Sequence, residues 1–170
     1  MGNAGHDAAM TGSSLILPIA PARWPPPRQA IELDGLRLAP KPELHVTLAG
    51  RALGAELRAA CGDRAAALVA AARDALDWRF ERSGHVLLLR KPFTGDDGQV
   101  TLAHALVELV DLPAMAPFQR ALGRLLGRQL PVPPPHVTLY TAGRPQGIGV
   151  SSPARLRAFS VRRVAAHELR

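Results

Sequence analysis

An α+β fold is what this sequence predicts, and three observations predict it. Short runs of alternating apolar and polar residues are separated by turn residues, as half-buried strands require. Two alanine- and leucine-rich stretches have helical composition and length. The string His-Val-Thr-Leu occurs twice, at positions 45–48 and 136–139, each time after a proline-rich approach. The order of elements around the two copies suggests a loose internal duplication within one domain of residues 13–170.

Residues 1–12 are small, polar and glycine-rich, and disorder is expected there. Leu15 to Ile19 reads as a first strand. Pro25-Pro26-Pro27, beside Trp24, punctuates the loop that follows. Ile31 to Leu33 and Leu36 to Leu38 flank Asp34-Gly35, the strongest short-range signal for a hairpin. Ala52 to Leu76 reads as helix, broken near Gly62-Asp63. Trp78 to Glu81 and His85 to Arg90 read as two strands joined at Ser83-Gly84, and Asp96-Asp97-Gly98 as a turn. Gln99 to Val110 fits a helix or a strand by length; its flanking turns and valine-rich end favour strand. Pro117 to Gln129 reads as helix and Leu156 to Ala165 as a closing strand.

The chain has 170 residues, 47% of them hydrophobic, enough for a real core. No apolar run approaches the roughly 18 residues that span a bilayer. The run Leu15–Ala20 is too short for a secretory signal and lacks a basic flank. His6 stands where a myristoylation motif needs Ser or Thr. The single cysteine, Cys61, excludes an internal disulfide and fits a reducing compartment, so a cytoplasmic protein is expected, with Cys61 as a small packed residue. Net charge is +7, and 19 of the 21 basic residues are arginine. That excess suits phosphate-bearing partners, but a GC-rich genome produces the same composition, so charge alone decides nothing.

The repeated string carries the chemistry. On a strand, His45 and Thr47 project from one face while Val46 and Leu48 project from the other, and His136 and Thr138 do the same against Val137 and Leu139. Two such strands meeting face to face would enclose a phosphate between two imidazoles and two hydroxyls. Cleaving a phosphodiester needs a base for the attacking oxygen and an acid for the leaving one, and histidine titrates where it can be either. Threonine hydroxyls can donate to the non-bridging oxygens. His-x-Thr is not a usual metal-ligand spacing, so neither metal nor cofactor is expected. By average residue usage, two copies arise by chance on the order of once in a thousand such chains.

Paired His-x-Thr/Ser-x motifs, the second preceded by prolines, resemble the two-histidine (2H) phosphoesterase superfamily, which includes 2′-5′ RNA ligase-like proteins and cyclic nucleotide phosphodiesterases. The resemblance implies two pseudo-symmetric α+β lobes, antiparallel strands lining a central cleft and helices outside. It implies His45 and His136 as the acid–base pair and Thr47 and Thr138 as phosphate donors. It also implies a metal-independent enzyme that opens 2′,3′-cyclic or related cyclic phosphates of RNA ends or nucleotides, or cleaves 2′-5′ linkages, as a monomer away from membranes. The family's usual helix between first strand and first motif is replaced here by a proline-rich stretch.

Secondary candidates surround these four. Tyr140, four residues after His136, would share its strand face and line the cleft. Arg144 in the glycine-rich loop after the second motif, Lys41 before the first, and Arg90 with Lys91 could each meet substrate phosphate. Trp24 and Phe93 could stack a base or belong to the core. His85 and His104 are expected as ordinary strand or surface histidines, and His6 and His167 carry no assigned role. The alternative from another class is a non-catalytic RNA- or nucleotide-binding module using the same basic surface. A third, a structural protein with coincidental motifs, requires the two histidines to lie far apart.

Overall fold

Residues 14–169 are described by the computed structural model; the expected disorder of residues 1–12, and His6, lie outside the described residues. The fold is α+β. Its strands are β1 (Leu15–Pro18), β2 (Ile31–Leu33), β3 (Leu36–Pro40), β4 (His45–Ala49), β5 (Glu81–Thr94), β6 (Val100–Asp111), β7 (His136–Ala142) and β8 (Ser160–Val164). The helices are α1 (Arg51–Cys61), α2 (Ala65–Asp74), α3 (Met115–Leu126) and α4 (Pro153–Phe159), with a 3₁₀ turn at Gly62–Arg64 between α1 and α2.

The strands pair antiparallel in the order β1-β4-β7-β6-β5-β8. β3 joins the far end of β7, and β2 folds back onto β3. The β2–β3 turn follows its sequence: Asp34 and Gly35 both take positive φ, at 53° and 74°, which matches the twist of the strands they join. Arg162 on β8 clamps this turn, donating to both oxygens of Asp34 at 2.9 Å and to both of Glu168.

Each face of the sheet has its own core. On one face Leu88, Leu106, Val46, Leu48, Val137 and Leu139 pack under α1, α2 and α3 through Leu57, Val69, Met115, Phe118 and Leu122. The helices supply the expected amphipathic stripes, and the Gln119 side chain ties α3 to β4 by donating to the Leu48 carbonyl at 2.6 Å. On the other face Leu89, Ala103, Ala105 and Val107 are covered by Ile148 and Val150 from the loop after β7, with Leu156 and Phe159 of α4 beside them.

Two segments differ from their expected form. Trp78 to Phe80 is not strand, and Ser83-Gly84 does not divide two strands. β5 runs through that point, with residues 83–85 bulging between the pairs Arg82–Val110 and Val86–Glu108. The bulge is held because Glu108, buried on β6, accepts from Arg82 at 3.0 and 2.7 Å and from the Gly84 backbone N–H at 3.1 Å. The second is Leu156 to Ala165, of which only the last part is strand. Ser152 caps a short helix by accepting from the Arg155 N–H at 3.2 Å, and Pro153 occupies its first turn, so Leu156–Phe159 is helical. The segment expected at Gln99 to Val110 is strand over Val100–Asp111, as its flanking turns suggested.

Candidate functional site

The two motif-bearing strands lie side by side in the centre of the sheet, not face to face across a gap. β4 and β7 are antiparallel neighbours, and their register pairs Val46 with Val137. Both valines are fully buried, as is Leu48, with Leu139 nearly so. The alternation of a strand then turns His45, Thr47, His136 and Thr138 together to the opposite face, where all four are half-buried.

That one pairing sets the relative positions of all four. An antiparallel register centred on Val46–Val137 puts His45 across from Thr138 and Thr47 across from His136. The site therefore has approximate two-fold symmetry through the valine pair. Each imidazole has the other strand's hydroxyl as its direct neighbour, about 5 Å away at Cβ. The two histidines stand on one diagonal and the two threonines on the other. His45 and His136 are close enough that the charge of one disfavours protonation of the other.

Electrostatics depress both histidines. Burial is the largest cause for His45, followed by the charges of Lys41 and His136, with Glu43 opposing weakly. Burial also lowers His136, against a raising effect of its hydrogen bond to Pro134. The Pro134 carbonyl lies 2.8 Å from His136 Nδ1 and can only accept, so in the neutral ring Nδ1 carries the proton and Nε2 is bare. Pro133-Pro134-Pro135 positions that carbonyl: three fixed φ angles hold the approach, and the Pro135 carbonyl is engaged separately by the Val110 N–H at 3.0 Å.

Of the remaining candidates, Lys41 falls beside the tetrad, where its charge acts on His45, and Arg144 lies further along the same side of the sheet. The Lys41 ammonium donates to the Pro145 carbonyl at 2.9 Å, tying the entry to β4 to the loop after β7. Gly147 of that loop lies against both Thr138 and Thr141: a Cβ built there would come 3.6 Å from the Thr138 methyl and 3.7 Å from that of Thr141. The Arg144 guanidinium stacks on Phe93, 4.0 Å from the ring centroid.

Two candidates are turned away. Tyr140 does not share the face of His136. A bulge in β7 pairs Val107 with Thr138 and the next β6 residue, Leu106, with Tyr140, so Leu139 is extra and the alternation reverses. Tyr140 is buried with Leu38 and Leu106 on the helix-covered side, and Thr141 takes the place expected for it. Arg90 pairs with His104, on the face of Leu88 and Leu106, opposite the tetrad; Lys91 and Phe93 are the β5 residues on the tetrad face. Trp24 is core, 4% exposed, beneath the Arg82 guanidinium. Cys61, expected to be buried, is only half-buried because it ends α1, and its thiol is free.

Thr141, on the tetrad side of β7, and Gly147, packed against Thr138, are neighbours of the tetrad that sequence reasoning misses. The bulge hides Thr141, and Gly147 matters only through the fold of its loop onto Thr138. The unbroken course of β5 likewise hides which of Arg90 and Lys91 faces the tetrad. Among the described residues no group of three or more His, Cys, Asp or Glu converges as a metal would require, and no helix is long and apolar enough to cross a membrane. Comparison of the chain with protein-family models, curated proteins and solved structures finds no match.

Proposed function

We propose that this chain is a two-histidine phosphoesterase that opens cyclic phosphates, or cleaves 2′-5′ linkages, of RNA ends or nucleotides without a metal. The observation that carries this function is the Val46–Val137 register, through which two distant copies of one motif become a symmetric group of two imidazoles and two hydroxyls.

The diagonal suits in-line displacement at phosphorus. Attacking and leaving oxygens stand on opposite sides of the phosphorus, and so do two imidazoles set diagonally about it. One neutral histidine takes the proton of the attacking water or ribose hydroxyl through its bare nitrogen. The new P–O bond forms as the ester P–O bond breaks, and the protonated histidine delivers its proton to the departing oxygen. Thr47 and Thr138, on the other diagonal, donate to the non-bridging oxygens as their charge grows. The two histidines exchange roles with the direction of reaction.

Protonation states favour this division of labour. Both histidines titrate below their ordinary range, so the free site holds few protons at neutral pH. A phosphodiester anion seated between them raises the proton affinity of both, while their mutual repulsion resists the second proton. One base and one acid is the state this balance selects.

The test is turnover of 2′,3′-cyclic nucleotides, ADP-ribose cyclic phosphate and 2′-5′ oligoadenylate in EDTA, beside His45→Ala and His136→Ala. EDTA-resistant hydrolysis that falls roughly 100- to 10,000-fold in each variant is the expected result. Substrate binding without turnover in the wild type would favour the non-catalytic binding module instead.

A further inference from the structure

On the same side of the sheet as the tetrad, beyond the rows that Ile148 and Val150 cover, lies a cluster that the phosphoesterase chemistry does not use. Lys91 and Phe93 project from β5 on that face, Arg144 arrives from the loop after β7, and Phe159 and Arg155 come from α4. The five are interleaved. The Arg144 guanidinium and the Lys91 ammonium lie 4.0 and 4.6 Å from the Phe93 centroid. Lys91 also lies 5.1 Å from the Phe159 centroid, and Arg155 lies 6.0 Å from it.

What sets this cluster apart is that three cations share two aromatic rings with no counter-charge among them. Several arginines elsewhere find carboxylates: Arg37, Arg73, Arg79, Arg82, Arg128 and Arg162 are all ion-paired. Among the described residues, Arg144, Lys91 and Arg155 have no carboxylate within ion-pair distance. Three cations gathered around two half-exposed rings repel one another, and ring quadrupoles offset this only in part. A polyanion would relieve it, and the rings offer flat surfaces to planar groups. A mononucleotide with its one phosphate in the tetrad has no second phosphate for these cations. The Ala103 row that pairs Lys91 lies four residues along β6 from the Val107 row that pairs Thr138, roughly 13 Å.

We propose that Arg144, Phe93, Lys91, Phe159 and Arg155 form a second binding site for a single-stranded oligonucleotide, taking a base and phosphates several nucleotides along the strand from the one held by the tetrad. As a statement about substrate class it rests on the phosphoesterase function; as a binding site it is measurable without it. Phosphates meet Lys91 and Arg155, while a base stacks on Phe93 by displacing the Arg144 guanidinium, which then turns to phosphate.

Two measurements on the full chain test it. The first is fluorescence anisotropy of a labelled 2′-O-methyl hexauridylate, which this chemistry cannot cleave, across a salt series. Wild type should bind, and Lys91→Ala/Arg155→Ala should bind about tenfold or more weakly, with the slope of log K against log salt smaller by about 0.7 for each phosphate no longer neutralised. Phe93→Leu, which keeps apolar bulk, should weaken binding about tenfold with the slope unchanged. The second is the ratio of kcat/KM for an oligonucleotide ending in a 2′,3′-cyclic phosphate to that for the cyclic mononucleotide, expected to fall about tenfold in Lys91→Ala/Arg155→Ala. No wild-type binding, or affinity, slope and ratio all unmoved in the variants, overturns the site even if turnover depends on both histidines. Binding that depends on Lys91 and Arg155, with turnover of no substrate, keeps the site and removes the phosphoesterase function.

Discussion

The Lys41 ammonium donates to the Pro145 carbonyl at 2.9 Å, across 104 residues of sequence, and its charge also lowers the proton affinity of His45. One side chain therefore joins the loop that flanks Thr138 to the electrostatics of the opposite strand. Replacing Lys41 with Met removes both effects. His45, followed by NMR titration, should then take up its proton at higher pH than in wild type, yet still below 6.5, because burial is the larger cause of its depression. Lys41→Arg should leave the titration near that of wild type. An unshifted His45 in Lys41→Met would show the ammonium to be screened from it.

Because both histidines are lowered, the singly protonated form of the free site peaks on the acid side of pH 6.5. For the proposed reaction the profile of kcat/KM against pH should be a bell with its apex there, since that parameter reports the unliganded protein. Stability follows with a definite sign. Below pH 6.5 the unfolded chain binds more protons at these two positions than the folded one, so stability falls as pH drops through that window and is level above it. Thermal melts from about pH 8 to about pH 5 measure this, and His45→Gln/His136→Gln should reduce the dependence, leaving the part due to His104, which burial also lowers.

Thr47 and Thr138 are related by the same local symmetry as the histidines, and each faces the other strand's imidazole. Thr47→Val and Thr138→Val keep shape and strand propensity while removing the hydroxyl. Each should lower kcat about 100-fold with a smaller effect on KM, as loss of a donor used mainly in the transition state does. The double variant should lose less than the product of the two, because in the proposed reaction both hydroxyls serve one phosphate. A change in KM alone would reassign them to ground-state binding.

Glu108 lies across from Val137 on β6, with its side chain 2% exposed and its charge balanced by Arg82, itself half-exposed. Arg82→Met leaves that carboxylate buried without a cation and should destabilise the fold by about 3 kcal/mol in chemical denaturation. Arg82→Met/Glu108→Leu should recover much of the loss. A single variant as stable as wild type would mean that solvent already satisfies Glu108.

Local features of this chain are legible in its sequence because each has a local cause. Asp34-Gly35 turns wherever it stands between strands, since few other pairs adopt two successive positive φ angles. The break near Gly62 and the alternation of His45–Leu48 and His136–Leu139 follow equally from neighbouring residues. The sharing of one strand face by His45 and Thr47, and by His136 and Thr138, follows too, because alternation alone decides it. Tertiary structure decided what depends on a partner strand. It set β4 against β7 edge to edge in the Val46–Val137 register. It also placed an extra residue at Leu139, which exchanged Tyr140 for Thr141 on the tetrad face, and carried β5 through Ser83-Gly84, which turned Lys91 toward that face and Arg90 away. A bulge is a mismatch between two strands, a relation between segments distant in sequence, and no window of either strand contains it.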